Sequence, residues 1–225
     1  MKRLKVRLIG LSLILSDDRI DMPQPLSKFK VQNGGISFGE SALQQNPELS
    51  SKGLQAIASW SMVESALLMV YMNLLNSPSD YAALAFLAVD NRGAKSSVIH
   101  AVAKEALSDR NYKLLSAIMK TSKSYQAKRD KLAHWIWGYC VDLPDALVLV
   151  SPRHMWDPAS DMFDQSKYYV YRDKDFEEIA KDNQGLCSIL HSFQVLLNGS
   201  ECEHEERYQE LCAQSAIRDI LDRQA

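Results

Sequence analysis

The sequence is poor in cysteine and carries no strong excess of charge of either sign. Its 225 residues include four cysteines, none of them in a Cys-x-x-Cys pair, and the formal net charge is −2. These features argue against a disulfide framework and against a structural zinc site. We therefore expect reduced thiols, no bound metal and a cytoplasmic protein. Four residues within a span of 18 are zinc ligands by type: Cys187, His191, Cys202 and His204.

Several familiar catalytic signatures are missing as well. The sequence has no Walker-type phosphate loop, no glycine-rich dinucleotide fingerprint, no Ser–His–Asp order and no metalloprotease motif. It also contains no internal repeat and no low-complexity segment. We therefore expect no cofactor.

Long apolar runs are scarce, and the two that occur do not require a membrane. Leu8–Leu15 follows a basic N-terminus, as in a signal peptide, but acidic residues come next and no cleavage site of small residues is present. We expect a β-strand there, or a true start at Met22. Residues 56–75 carry Glu64 as their single charge. Because a central carboxylate is costly in lipid, we expect a helix of a soluble bundle, buried on most sides, and no membrane partner.

Turn and capping signals divide the chain into an arm and a helical domain. Residues 1–45 include two prolines and Asn33-Gly34-Gly35 and lack helical periodicity, so we expect a strand-and-loop arm. Asn46-Pro47-Glu48 is typical of a helix start, and residues 46–225 are predicted to form a single domain. The predicted helices are 47–75, 81–89, 94–107, 110–137, 174–197 and 201–222.

Two β-prone segments interrupt these helices. Residues 146–150 and 168–171 predict a small hairpin inserted within 139–172, and residues 173–225 then return to helix. Gly138 is predicted to close the fourth helix. The expected fold is therefore mainly α: a helical bundle with an N-terminal arm, a β-hairpin insertion and additional C-terminal helices.

The fourth predicted helix combines an apolar stripe with a strong local charge. Between Ser108 and Leu132 seven cations face two carboxylates, a balance of +5, which indicates either a polyanion-binding surface or a solvated face. A stripe at steps of three and four residues is predicted to face inward. Its members are Leu115, Ile118, Ser122, Tyr125, Arg129, Leu132 and Ile136. Arg129 is thus a cation where an apolar residue is expected, and it needs a partner.

The end of this helix gathers groups suited to proton transfer and anion binding. Arg129 is permanently charged, and the imidazole of His134 can accept and donate a proton. Asp130 lies four residues before His134, on the same helix face, and is predicted to hydrogen-bond its imidazole. Glu64, the lone charge of its helix, is the predicted partner of Arg129. A purely structural network of the same four residues is the alternative interpretation.

The segment Arg129-Asp130-Lys131-Leu132-Ala133-His134 resembles the mark of the HEPN superfamily. That mark is an Arg, a polar residue, three further residues and a His, near the end of a long helix in a four-helix bundle. The resemblance covers residues 46–138, which would be a HEPN-like core. It implies a metal-independent endoribonuclease, usually a homodimer that brings two copies of the motif together.

By this resemblance His134 would act as general acid or base on the ribose 2′-hydroxyl or the leaving oxygen. Arg129 would stabilise charge on the phosphorane, and Asp130 would position both. The products would carry a 2′,3′-cyclic phosphate or a 3′-phosphate. Basic residues near the motif are then candidate RNA contacts: Lys123, Lys128 and Lys131.

The chain also departs from the family pattern. HEPN toxins paired with a nucleotidyltransferase antitoxin carry a Tyr two residues after the His, where this chain has Ile136. Control by modification of that Tyr is therefore not expected, although an antitoxin or another partner protein remains an expected class of partner. Some HEPN domains are non-catalytic, so an RNA-binding or protein-interaction module is the alternative function.

Overall fold

The computed structural model describes residues 23–31, 35–76, 80–156 and 164–223. The predictions for Leu8–Leu15 and Met22 lie outside these ranges. The helices are α1 (Glu40–Gln45), α2 (Pro47–Ala58), α3 (Trp60–Leu74), α4 (Asp80–Leu87), α5 (Arg92–Ala106), α6 (Asp109–His134), α7 (Pro152–Trp156), α8 (Asp173–Asn198), α9 (Glu201–Ala213) and α10 (Ser215–Asp222). The mainly α fold predicted from the sequence is confirmed.

A small antiparallel sheet packs beside the helices. Its strands are β1 (Gln24–Pro25), β2 (Ile36–Phe38), β3 (Ile136–Cys140), β4 (Leu147–Val150) and β5 (Tyr168–Tyr171), in the spatial order β1-β5-β4-β3-β2. The predicted hairpin is the β4–β5 pair, in which Leu147 lies opposite Tyr171. The sheet is wider than the hairpin because β3 joins β4, and strands from the predicted arm pair at both edges.

Both faces of the sheet are covered, which explains why every residue of β4 is buried. Successive strand side chains point to opposite faces. Leu147 and Leu149 accordingly join the cluster that faces the helices, together with Phe176 of α8. Val148 and Val150 join a second cluster on the opposite face. The helices enclose a third and larger cluster of their own.

The first predicted helix is interrupted at Ser59, between α2 and α3. The buried side chain of Asn183 on α8 donates hydrogen bonds to the Ala56 carbonyl oxygen, at 3.3 Å, and to Ser59 Oγ, at 2.9 Å. The interruption therefore coincides with a contact between residues more than 120 apart in sequence, which local propensity does not reveal.

The predicted burial of this helix on most sides is wrong. Leu54, Met62 and Met69 are exposed. Among the described residues one helical stretch, Pro47–Leu74, is long and apolar enough by length and composition to cross a membrane, and 33% of its apolar window is buried. The core helix of a soluble protein passes the same test.

The arm is not only strand and loop, because α1 lies within residues 1–45, and α7 is a helix within the predicted hairpin insertion. Two further helix boundaries also differ from the prediction. Helix α6 ends at His134, not at 137, because β3 pairs with β2 and β4 and draws the following residues into the sheet. Gly138 therefore lies in β3 and does not cap the helix; a Cβ there would lie 2.7 Å from Ile36 Cγ2. At the C-terminus the predicted single helix is divided into α9 and α10 by the extended residue Gln214.

Two helical glycines give stability predictions of opposite sign. A Cβ on Gly53 of α2 would lie 2.3 Å from Trp137 Cη2, whereas a Cβ on Gly185 of α8 would meet nothing within 4 Å. Alanine is favoured over glycine in a helix by about 1 kcal/mol. We expect Gly185→Ala to stabilise by up to that amount. We expect Gly53→Ala to destabilise by about 1–2 kcal/mol, because overpacking outweighs the propensity gain.

Urea unfolding of both variants measures these changes. Stabilisation by Gly53→Ala would show that the ring of Trp137 moves aside without cost, which would contradict the tight α2–β3 contact.

Candidate active site at the end of helix α6

Helix α6 places the Arg129–His134 segment where the helices meet the sheet. The helix begins with the Ser108 hydroxyl accepting a hydrogen bond from the Asn111 amide, at 3.4 Å. Its buried residues, Leu132 among them, hold it against the other helices and the sheet. The hexapeptide thus occupies the last turns of a long, anchored helix, and β3 begins two residues after His134.

Arg129 is largely but not completely withdrawn from solvent. Its side chain is 17% exposed, and its Nη1 donates to Asp130 Oδ1 at 3.1 Å. Its Nε is buried and has no hydrogen-bond partner among the described residues. The guanidinium therefore keeps unused donors, and a buried donor without a partner is costly unless something supplies an acceptor.

The predicted pairing of Glu64 with Arg129 is wrong. Glu64 of α3 lies 3.8 Å from the Nε of Arg92, and its Oε1 accepts a hydrogen bond from Trp60 Nε1 at 3.2 Å. The reason is positional, since Arg92 begins α5 and reaches between α3 and α6. Its Nη1 also donates to Asp130 Oδ1 at 2.6 Å. A chain of alternating charges therefore runs Glu64–Arg92–Asp130–Arg129.

The predicted hydrogen bond between Asp130 and His134 is not formed. One oxygen of Asp130 instead binds both Arg92 and Arg129. His134 is exposed, and no hydrogen bond of its ring occurs within the part of the chain that the structure describes. The carboxylate therefore orients the arginines, while the imidazole stands free at the helix end.

The three candidate RNA-binding lysines lie in different surroundings. Lys128 is engaged with α8, at 2.7 Å from Asp182 Oδ2 and 3.5 Å from Glu178 Oε1. Lys131 lies over the rings of Trp135 and Tyr169, at 5.2 and 5.4 Å from their centroids. Lys123 is exposed and lines a cavity on another side of α6. The structure therefore groups only Lys131 with the motif's helix end.

That cavity lies between α3, α5 and α6 and has a volume of about 1030 Å³. Lys123, Ala127 and Asp130 line it at steps of four and three residues, so they form one stripe of α6. The next position on this stripe is His134, which lies beyond the cavity. Burial lowers the pKa of His100, which also lines the cavity. Burial therefore favours the neutral form of its imidazole.

Two site residues were missed by the sequence predictions. Arg92 holds Asp130 and Glu64 together, yet the sequence shows only a cation just after a helix start capped by Asn91. Tyr169 reaches Lys131 from β5, a contact that requires the sheet. Within the described ranges no three His, Cys, Asp or Glu side chains gather into a potential metal site.

Comparison of the chain with protein-family models, with curated proteins and with solved structures gives no match. The resemblance to the HEPN superfamily therefore rests on the Arg129–His134 segment and its place at the end of a long bundle helix.

Proposed function

We propose that this protein is a HEPN-like endoribonuclease that cleaves RNA without a metal ion at the end of α6. The observation that carries the proposal is the exposed imidazole of His134, which follows the Glu64–Arg92–Asp130–Arg129 charge chain on one helix end. A free imidazole and a held guanidinium at one helix end supply a proton acceptor and a stabiliser of negative charge, two of the groups that RNA cleavage requires.

The roles of His134 and Arg129 follow from their surroundings, because His134 is exposed and Arg129 is held by Asp130. His134 accepts the proton of the 2′-hydroxyl, whose oxygen attacks phosphorus and displaces the 5′-oxygen. Arg129 lies about 7.5 Å away along the helix axis, and its guanidinium stabilises the phosphorane. Asp130 keeps Arg129 in place. The leaving oxygen needs a second proton donor, which a second copy of the chain supplies through its own imidazole in a homodimer.

The aromatic and cationic surface beside the motif supports RNA as the substrate. The rings of Trp135 and Tyr169 lie 5.7 Å apart, and Lys131 lies over both. Aromatic faces with a neighbouring cation bind single-stranded bases and phosphates. Lys131 is the RNA contact that we propose at this end of α6. Lys128 instead makes ion pairs with Glu178 and Asp182 of α8.

A second candidate is a non-catalytic interaction module. The observation that favours it is the closed ion pairing of Arg129, Asp130 and Arg92, which would hold α3, α5 and α6 together without any reaction. An antitoxin or another cytoplasmic partner protein would then be the ligand.

Cleavage in the presence of a chelator tests the proposal. Purified protein is incubated with 5′-labelled single-stranded and hairpin RNAs in EDTA, and the ends of the products are identified. We expect cleavage that leaves a 2′,3′-cyclic phosphate or a 3′-phosphate. Intact RNA after long incubation at micromolar protein would reject the enzyme and leave the interaction module.

A further inference from the structure

The cavity between α3, α5 and α6 has an apolar floor. Phe86, Ile99 and Met119 are buried side chains that line it. Ser122 also lines it and is only 4% exposed. At about 1030 Å³ the cavity lies at the upper limit for small-ligand sites, so it can take several side chains at once.

One wall of the cavity is basic. Lys120 and Lys123 of α6 and Lys95 of α5 line it, and none of them has an ion-pair partner within the described chain. Lys95 Nζ lies 5.3 Å from the centre of the Phe86 ring. The lining arginine, Arg92, is already engaged by carboxylates. The unpaired charge of this wall is therefore positive and available to an acidic ligand.

An exposed apolar stripe continues the cavity onto the surface. Tyr81, Leu84 and Leu87 of α4 follow one another at steps of three residues and are 82%, 62% and 56% exposed. Leu87 also lines the cavity. Contiguous exposed apolar side chains beside a recess are typical of an interaction site.

We propose that this cavity is the docking site for an amphipathic helix of a partner protein. The apolar face of that helix packs on the α4 stripe and inserts its side chains onto the cavity floor. Its acidic edge lies along Lys120 and Lys123. From Lys120 to Asp130 the cavity follows α6 for about 15 Å, the length of a ten-residue helix. Apolar anchors at helical spacing with a charged edge are a recurring mode of recognition.

Shape and charge favour a helix as the ligand over a bilayer surface or a nucleic-acid strand. A bilayer surface is flat and cannot fill a recess between helices. A nucleic-acid strand carries a phosphate on every nucleotide and would place some of them against Glu64, Asp90 and Asp130 on the cavity lining. An amphipathic helix presents acid along one edge only, so it satisfies the lysines without meeting those carboxylates.

The docking proposal can be tested separately from the proposed RNA cleavage, because binding to the cavity is measured without any reaction. The cavity-lining stripe of α6 leads to His134, so a bound helix would end beside the motif.

Binding of a synthetic peptide tests the proposal. A labelled peptide of about 18 residues, long enough to form a helix, carries Leu at i, i+3, i+4 and i+7, Glu along one edge and Gln elsewhere. We expect it to bind the full-length protein with a Kd of about 10 µM by fluorescence anisotropy. Lys120→Glu with Lys123→Glu should weaken binding at least about tenfold. Lys174→Glu with Lys181→Glu on α8, the charge-matched control, should leave it unchanged.

Two further binding measurements distinguish an acidic helix from other ligands of the cavity. The same peptide with Lys in place of Glu should bind at least about tenfold more weakly. Leu84→Glu with Leu87→Glu should abolish binding of the Glu peptide while circular dichroism stays unchanged. Equal binding by both peptides, or equal loss in the control variant, overturns the proposal. It also fails if vesicles containing phosphatidylserine or a single-stranded RNA bind through Lys120 and Lys123 while the Glu peptide does not.

Discussion

Replacing His134 by alanine is expected to lower the rate of RNA cleavage by about 10²–10⁴-fold, the usual contribution of a positioned general acid or base. The substitution removes the one free imidazole at the end of α6. It should change the free energy of unfolding by less than about 1 kcal/mol, because the side chain is exposed and contributes only a weak helix-end interaction. Initial rates on a fluorogenic RNA and a thermal melt measure both quantities.

His191→Ala is the matched control, because His191 is also an exposed histidine but lies on α8, away from the motif. It should leave both the cleavage rate and the melting temperature unchanged. A His134→Ala protein that cleaves at the wild-type rate would remove His134 from the mechanism. The ion-paired Arg129 would then be a structural residue.

Replacing Phe176 by alanine is expected to destabilise the protein by about 3–5 kcal/mol. Phe176 is fully buried where the helices meet the sheet. Its ring stacks on Trp137 at a centroid distance of 5.9 Å with 4° between the planes, and on Tyr171 at 5.7 Å. Loss of the ring opens a cavity between α8, β3 and β5, and the midpoint of urea unfolding should fall accordingly.

Two further variants serve as controls for the effect of Phe176→Ala on stability. Phe176→Leu keeps most of the volume and should cost less than about 1.5 kcal/mol. Tyr81→Ala removes an aromatic ring that is 82% exposed and should change stability by no more than about 0.5 kcal/mol. A small effect of Phe176→Ala would mean that the helices and the sheet do not depend on this aromatic stack.

Local signals in the sequence predicted six of the ten described helix starts to within two residues, and missed those of α1, α3, α7 and α10. Asn46 does cap α2, since its side chain accepts a hydrogen bond from the Leu49 amide. Helix ends were less predictable, because they depend on contacts made elsewhere. Asn183 contacts the interruption at Ser59, and pairing of β3 with its neighbours ends α6 at His134. Such tertiary contacts override local propensity.

The sequence predicted which residues form the site but not which residues pair with them. The sequence identified Arg129 and His134 and placed them near a helix end. Their partners could not be derived, because the position of Arg92 between α3 and α6 depends on how α5 packs. The periodicity of one helix shows which side of that helix a residue faces. It does not show which neighbouring helix supplies the opposite charge.

The pairing of β2 with β3 determines how early β2 can join the sheet while the chain is being synthesised. Phe38 lies opposite Gly138, so the edge strand has no partner until 100 more residues have been made. At about 5–20 residues per second this is a wait of about 5–20 s at the ribosome. During that interval α2 to α6 can form from nearer contacts, since local structure folds faster than distant pairing. Strand β2 should therefore join the fold after the helix that carries His134.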